Sequence, residues 1–156
     1  MTRTFMIAVA SAAVFTLSTT ASFAQGTATE AKAMLEKGVA AVKGDKAKTL
    51  DTINKGEGGF LDRDLYPFCF SISDGKLFPF ANSNAKERFG QDVRTVKDPT
   101  GKAFGEEQYA AAQKPEGQIT EVSYMFPKPG ADPKPAQKVS FMTRAGDLGC
   151  GVGYYK

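Results

Sequence analysis

Lys138, Ser140 and Tyr124 stand close together in "EVSYMFPKPGADPKPAQKVSFMTR", residues 121–144. Together they offer the chemistry of an anion site: an ammonium pairs with a carboxylate, and hydroxyls fix its orientation by hydrogen bonding. Lys128 and Lys134 fall in a proline-broken loop, where lysines simply stay solvated. Lys138 instead opens an alternating run that puts Lys138, Ser140 and Met142 on one face and Val139 and Phe141 on the other. Tyr124 and Phe126 share a face of the preceding run, and Phe68, Phe70, Phe80 and Phe104 could wall such a site with apolar surface. The competing reading is plain: buried phenylalanine is ordinary core, and a lysine at a strand end snorkels to water. Arg144 and Tyr109 are weaker candidates of the same kind, whereas Asp62, Asp64 and Asp98 fit turn and capping chemistry.

Composition removes several alternatives. The 156-residue chain has no histidine, so neither a histidine-based nucleophile nor a histidine-ligated metal or haem is available. An enzyme would have to rely on carboxylates, lysine, tyrosine or a thiol, and no cofactor is implied. The net charge of +3 falls to +2 once Arg3 is removed, too little and too scattered to draw nucleic acid or an anionic membrane. "MTRTFMIAVASAAVFTLSTTASFAQ" reads as a secretory signal with a basic start, an apolar run to Leu17 and a small-x-small end at Ala24. Residues 1–24 are thus expected to be removed and residues 25–156 to form one exported domain, with no membrane span after cleavage. The rival reading is retention of the segment as an anchor. Two cysteines in an exported chain, Cys69 and Cys150, read as one disulfide.

Thr27 and Glu30 have capping-box spacing at the head of an amphipathic pattern running through Met34, Leu35, Val39 and Val42, interrupted at Gly44-Asp45 and resumed at Leu50 and Ile53. "DLYPFCFSIS" alternates as a strand with Tyr66, Phe68 and Phe70 on one face; Asp74-Gly75 is a hairpin signal, and "KLFPF" returns. A short helix ending near Gln113 precedes strands in "QITEVSYMFP", "AQKVSFMTR" and "LGCGVGYYK". The expectation is an α+β domain with an antiparallel sheet of about five strands and a long helix packed on it. If the last strand lies antiparallel beside the first, Cys69 and Cys150 face each other across neighbouring strands.

An ordered set of motifs, L-Y-x-F, D-G-K, K-D-P-x-G-K, Y-x-x-P-K-P-G, P-x-x-K-V-S-F and G-V-G-Y-Y, resembles the single Cache domain, a PAS-like extracellular sensor module of bacteria. The resemblance covers nearly all of residues 25–156. It implies a five-stranded antiparallel sheet backed by a long helix, with a pocket for a small molecule, often a short carboxylic acid. The chain would then be a free-standing, periplasmic or secreted, small-molecule-binding domain of sensor type, acting through a membrane transducer or another envelope protein. The alternative is an envelope interaction or structural module with no ligand. Two departures bear on the ligand: Phe80 stands where many relatives place a histidine near the pocket, and "GDLGC" lacks the tryptophan often found before the last strand.

Overall fold

The computed structural model describes residues 25–129 and 133–156. The signal reading falls on residues 1–24, outside the described residues. Helix α1 (Ala28–Gly44) opens with the expected capping box, Thr27 accepting from the Glu30 amide while Glu30 accepts from the Thr27 amide. Asp45 ends α1 and caps α2 (Lys46–Lys55) by accepting from the Lys48 amide at 3.0 Å. Strand β1 (Pro67–Ser71) follows, then helix α3 (Phe104–Ala112) and strands β2 (Thr120–Pro127), β3 (Pro135–Ala145) and β4 (Leu148–Tyr155). None of the described helices is long and apolar enough to cross a membrane.

All neighbouring strands are antiparallel, in the order β1-β4-β3-β2. The last strand therefore lies between the first and third, and Cys69 faces Cys150 in register, joined as a disulfide across a Cα separation of 4.1 Å. The sheet has four strands among the described residues, where about five were expected. "KLFPF" does turn back at Gly75 (φ 75°), and Leu77 bridges Phe70, but the ladder stops there. The last bond is Phe78 N–H to the Cys69 carbonyl at 3.0 Å; Pro79 has no N–H to continue it.

The two faces of the sheet serve different ends. Val139, Phe141 and Thr143 of β3, with Cys150 and Val152 of β4, form the face towards α1; Thr143 shares a groove with Leu35 and Val39 of that helix. The opposite face carries Lys138, Ser140 and Met142, with Tyr66, Phe68 and Phe70 beside them and α3 above. Both faces are buried, so β3 reads as a continuous interior run from Lys138 to Thr143. Each fully buried large apolar side chain contributes about 1.5–3 kcal/mol.

Edge strand β2 is shielded by a loop. Asp98 accepts from the amides of Thr100 and Lys102 with one oxygen, at 2.8 and 3.0 Å, and from the Met125 amide of β2 with the other, at 3.0 Å. Lys102 Nζ donates to the Ser123 carbonyl at 2.6 Å, so exposed edge groups that would recruit another strand are occupied. The Met125 amide and the Thr100 hydroxyl lead the bonds that hold the Asp98 carboxyl down at about 2, against an ordinary 3.8. A depressed carboxylate stabilises the fold above about pH 4 and loses that contribution as pH falls towards 2. Asp98→Asn is therefore expected to lower the thermal midpoint at pH 5, with the gap to wild type closing as both are acidified. A gap unchanged between pH 5 and 2 would contradict this role.

An aromatic cavity and a caged lysine

Glycine spacing in the last strand makes room for the site. Register pairs Gly149 with Arg144, Gly151 with Met142, Gly153 with Ser140 and Tyr155 with Lys138, so alternate positions of β4 facing α3 carry almost no side chain. The space is taken by neighbours: Phe70 lies over Gly149, Phe68 and Met142 over Gly151, and Lys138 with Ser140 over Gly153. A Cβ at Gly153 would stand 2.5 Å from Lys138 Cε. Three glycines thus let Phe70, Phe68, Met142 and Lys138 lie against the sheet.

Lys138 is 2% exposed. Its Nζ lies 4.6 Å from the ring centroids of Tyr66 and Tyr155 and 5.1 Å from that of Phe126, and donates to the Tyr66 hydroxyl at 3.1 Å. Among the described residues no carboxylate comes within ion-pair distance of it. Asp64, buried beside this cluster, accepts from the Gly26 amide at 2.6 Å through one oxygen; its other oxygen has no hydrogen-bond partner among the described residues. The rings attract the ammonium through their π-faces. Burial nonetheless dominates and lowers the Lys138 pKa from 10.5, against upward pulls from Tyr124 and Asp64.

A lysine whose pKa is depressed in the folded state makes stability rise with pH, because the unfolded chain still binds a proton the folded chain has released. Lys138→Met keeps the length and removes the charge, so wild type should gain stability relative to this variant as pH climbs from 7 towards 10. Above pH 10 a second group acts in the opposite sense. Burial pushes the Tyr66 hydroxyl up to about 12, and that contribution is lost as pH rises from 10 through 12. Thermal melts of both proteins across pH 7–10 check the sign; parallel curves would show that Lys138 is as solvated as an exposed amine.

Next to this cluster lies a cavity of about 40 Å³. By that measure it holds a few waters or the head of a very small organic molecule. Tyr66, Phe68, Phe80, Phe104, Tyr124 and Phe126 provide its aromatic surface, with Gln108 and Arg88 as polar members. Phe104 stacks on Tyr124 at 4.0 Å between centroids, and Phe80 on Tyr66 at 5.6 Å. The Tyr124 hydroxyl bonds Ser140 Oγ at 2.8 Å and the side chain of Gln108, so its polar groups are met within the wall. Burial raises the Tyr124 pKa.

Of the residues expected to form the site, Phe68, Phe80, Phe104 and Tyr124 line the cavity. Lys138, Ser140 and Phe70 stand behind its wall. Three rings enclose the ammonium, Tyr124 covers Ser140, and Phe70 fills the space over Gly149, where it stacks on Tyr109. Tyr109 donates to the Ile72 carbonyl and Arg144 to the Gly146 carbonyl, which makes both structural. Asp62 pairs with Arg63. Lys128 is partly buried against the Tyr155 ring, at 5.7 Å from its centroid. Tyr66, Arg88, Gln108 and Phe126 had not been singled out as site residues. The Tyr66 signal was present in its alternation with Phe68, whereas nothing local to "NSNAKERFG" marks Arg88 as facing a cavity.

No protein-family profile matches the sequence, and no curated protein matches it. Solved structures do. A methyl-accepting chemotaxis protein from Vibrio parahaemolyticus superposes with a TM-score of 0.62 at 22% identity, over 81% of this chain and 86% of that one. A periplasmic sensor domain of a chemotaxis protein gives 0.57 at 21% identity, over 80% and 86%. A Cache chemosensory domain, solved for the structural basis of its carboxylic acid recognition, gives 0.60 at 19% identity, over 81% and 91%. The chain has the fold of these proteins.

Proposed function

We propose that the protein is an exported, periplasmic or secreted, sensor-type domain that binds a short organic acid. The observation that carries this reading is the cavity itself: a small, partly open, aromatic-lined space with a guanidinium in its lining and tyrosine hydroxyls and a buried ammonium beside it, on the face of the sheet under α3. Positive charge near a small apolar space selects a small anion with an apolar tail. Phe68, Phe80 and Phe104 would contact the tail, and Tyr124, held by Ser140, would set its orientation. Lys138 would add positive potential from behind the wall, and Phe70 would keep β1 seated on β4. The carboxylic acid recognition of one structural neighbour supports the ligand class. A bound acid would be read by a membrane transducer or another envelope protein.

Cavity size sets the expected ligand at two or three carbons. At one hundred times its dissociation constant, such an acid adds about 2.7 kcal/mol, or roughly 8–10 °C in midpoint for a domain of this size. Thermal shift of the purified protein against acetate, propionate, amino acids and amines tests the reading. A shift confined to short acids is the expected result. No shift with any acid would sink the proposal and favour the envelope-interaction module, for which so small a cavity is no handicap.

A further inference from the structure

Resting on the organic-acid reading, the hydrogen-bond inventory of the cavity identifies which groups meet the acid. Tyr66 and Tyr124 both line the cavity, and the states of their hydroxyls differ. Tyr124 is engaged by Ser140 and Gln108 within the protein. Tyr66 accepts twice through its phenolic oxygen, from Asn82 Nδ2 at 2.6 Å and from Lys138 Nζ at 3.1 Å. Two accepted bonds occupy both lone pairs, and the single O–H proton is left to donate. A buried hydroxyl held as a donor beside an aromatic cavity suits an acceptor oxygen.

The cation that reaches the cavity is Arg88, at the end of the 3-10 turn Ser83–Arg88. Its guanidinium lies 5.0 Å from the Phe126 ring centroid, and that ring also faces the Lys138 ammonium. Its side chain is 25% exposed, and its ion pair with Glu87 is long, at 3.8 Å. Contact with the Phe126 ring holds the guanidinium at the cavity while leaving N–H groups for a carboxylate. The Arg88 charge also acts on the Tyr66 hydroxyl.

We propose that Tyr66 and Arg88 form the carboxylate clamp of the cavity, and that Lys138 acts through Tyr66 as a positioning residue. One carboxylate oxygen accepts from the Tyr66 hydroxyl and the other from the Arg88 guanidinium. The ammonium, by donating to the phenolic oxygen, turns the phenolic proton outward. Phe80 fits this arrangement as an apolar wall, since the clamp supplies its donors from Tyr66 and Arg88. The ligand class that follows is a small monocarboxylate; the neutral amide of the same shape gains nothing from the guanidinium.

Titration calorimetry with propionate and propionamide, on wild type and on Tyr66→Phe, Arg88→Gln, Arg88→Lys and Lys138→Met, tests the clamp. Wild type is expected to bind propionate and to reject propionamide. Tyr66→Phe and Arg88→Gln should each weaken propionate about 10- to 100-fold, the loss of one charge-assisted bond. Arg88→Gln should also narrow the preference for acid over amide, and Arg88→Lys should restore part of that preference. Lys138→Met should weaken propionate while the preference for acid over amide persists. Arg88 is on a partly exposed turn, so its variants test the clamp even if Tyr66→Phe fails to fold. Propionate binding unchanged in Arg88→Gln, or the acid preference abolished only in Lys138→Met, overturns the clamp and leaves the organic-acid reading intact. A wild type that binds no short acid removes both.

Discussion

Replacing both Cys69 and Cys150 by alanine is expected to lower the thermal midpoint by about 15 °C. The bond closes a loop spanning 81 residues. In the chain-entropy view a cross-link of that span removes about 4–5 kcal/mol of unfolded-state freedom. Spread over the unfolding entropy of a domain this size, that energy gives the stated shift. The two half-cystines are register partners in β1 and β4, 1% and 2% exposed, on the face covered by α1. Reductant should therefore reach them slowly in the native protein and quickly in denaturant. The effect extends to the cavity, because β1 carries Phe68 and follows directly on Tyr66 while β4 carries the glycine row. Ligand-induced stabilisation should fall in the double variant along with stability. Calorimetric melts of the oxidised protein and the variant decide it; midpoints within a few degrees would mean that strand pairing alone holds β1 in place.

Much of the architecture was legible because local signals and burial agreed. The Thr27–Glu30 box, the Gly44-Asp45 break and the α1 stripe each follow from short-range chemistry, and the structure has all three. The cysteine pairing was legible too, since an antiparallel last strand beside the first puts Cys69 opposite Cys150. The strand expected in "KLFPF" shrank to a single bridge to β1, Leu77 with Phe70, because its return depends on continued pairing, and Pro79 ends the supply of donors. Apolar alternation alone does not count ladder bonds.

The site was legible in part for a different reason. Alternation correctly grouped Lys138 with Ser140 and Tyr124 with Phe126, and pairing of β2 with β3 brings Tyr124 opposite Lys138. What alternation does not convey is depth. Whether a side chain lines a cavity or lies behind its wall depends on what stands in front of it, and here Tyr66, Tyr155 and Phe126 stand around Lys138. Arg88 comes from a turn with no periodicity, so its place at the cavity follows only from the folded path of residues 81–90. The alternating glycines of "LGCGVGYY" were visible in sequence; their partners across the sheet became identifiable only once the register was known.

Those glycines support the second large effect. Gly153→Ala should cost about 1–3 kcal/mol, as overpacking of a filled interior does, and lower the midpoint by about 4–10 °C. The added Cβ would lie 2.5 Å from Lys138 Cε, 2.8 Å from Ser140 Oγ and 3.3 Å from Lys138 Cδ. A lysine tip on a surface would swing away. Here the ammonium is held among three rings, and Ser140 is fixed by Tyr124, so neither neighbour can retreat without moving the aromatic wall. The same displacement would turn the Tyr66 hydroxyl, and acid binding should weaken although residue 153 has no polar side chain. A double-mutant cycle separates this from a generic strand effect. Lys138→Ala is destabilising alone because it leaves a void under the rings. In that background the two lysine contacts are gone and only the 2.8 Å approach to Ser140 Oγ remains, so Gly153→Ala should cost less than in wild type, a coupling of about 1 kcal/mol. Additive losses in the cycle would show that the glycine is required by the backbone of β4 rather than by the lysine lying across it.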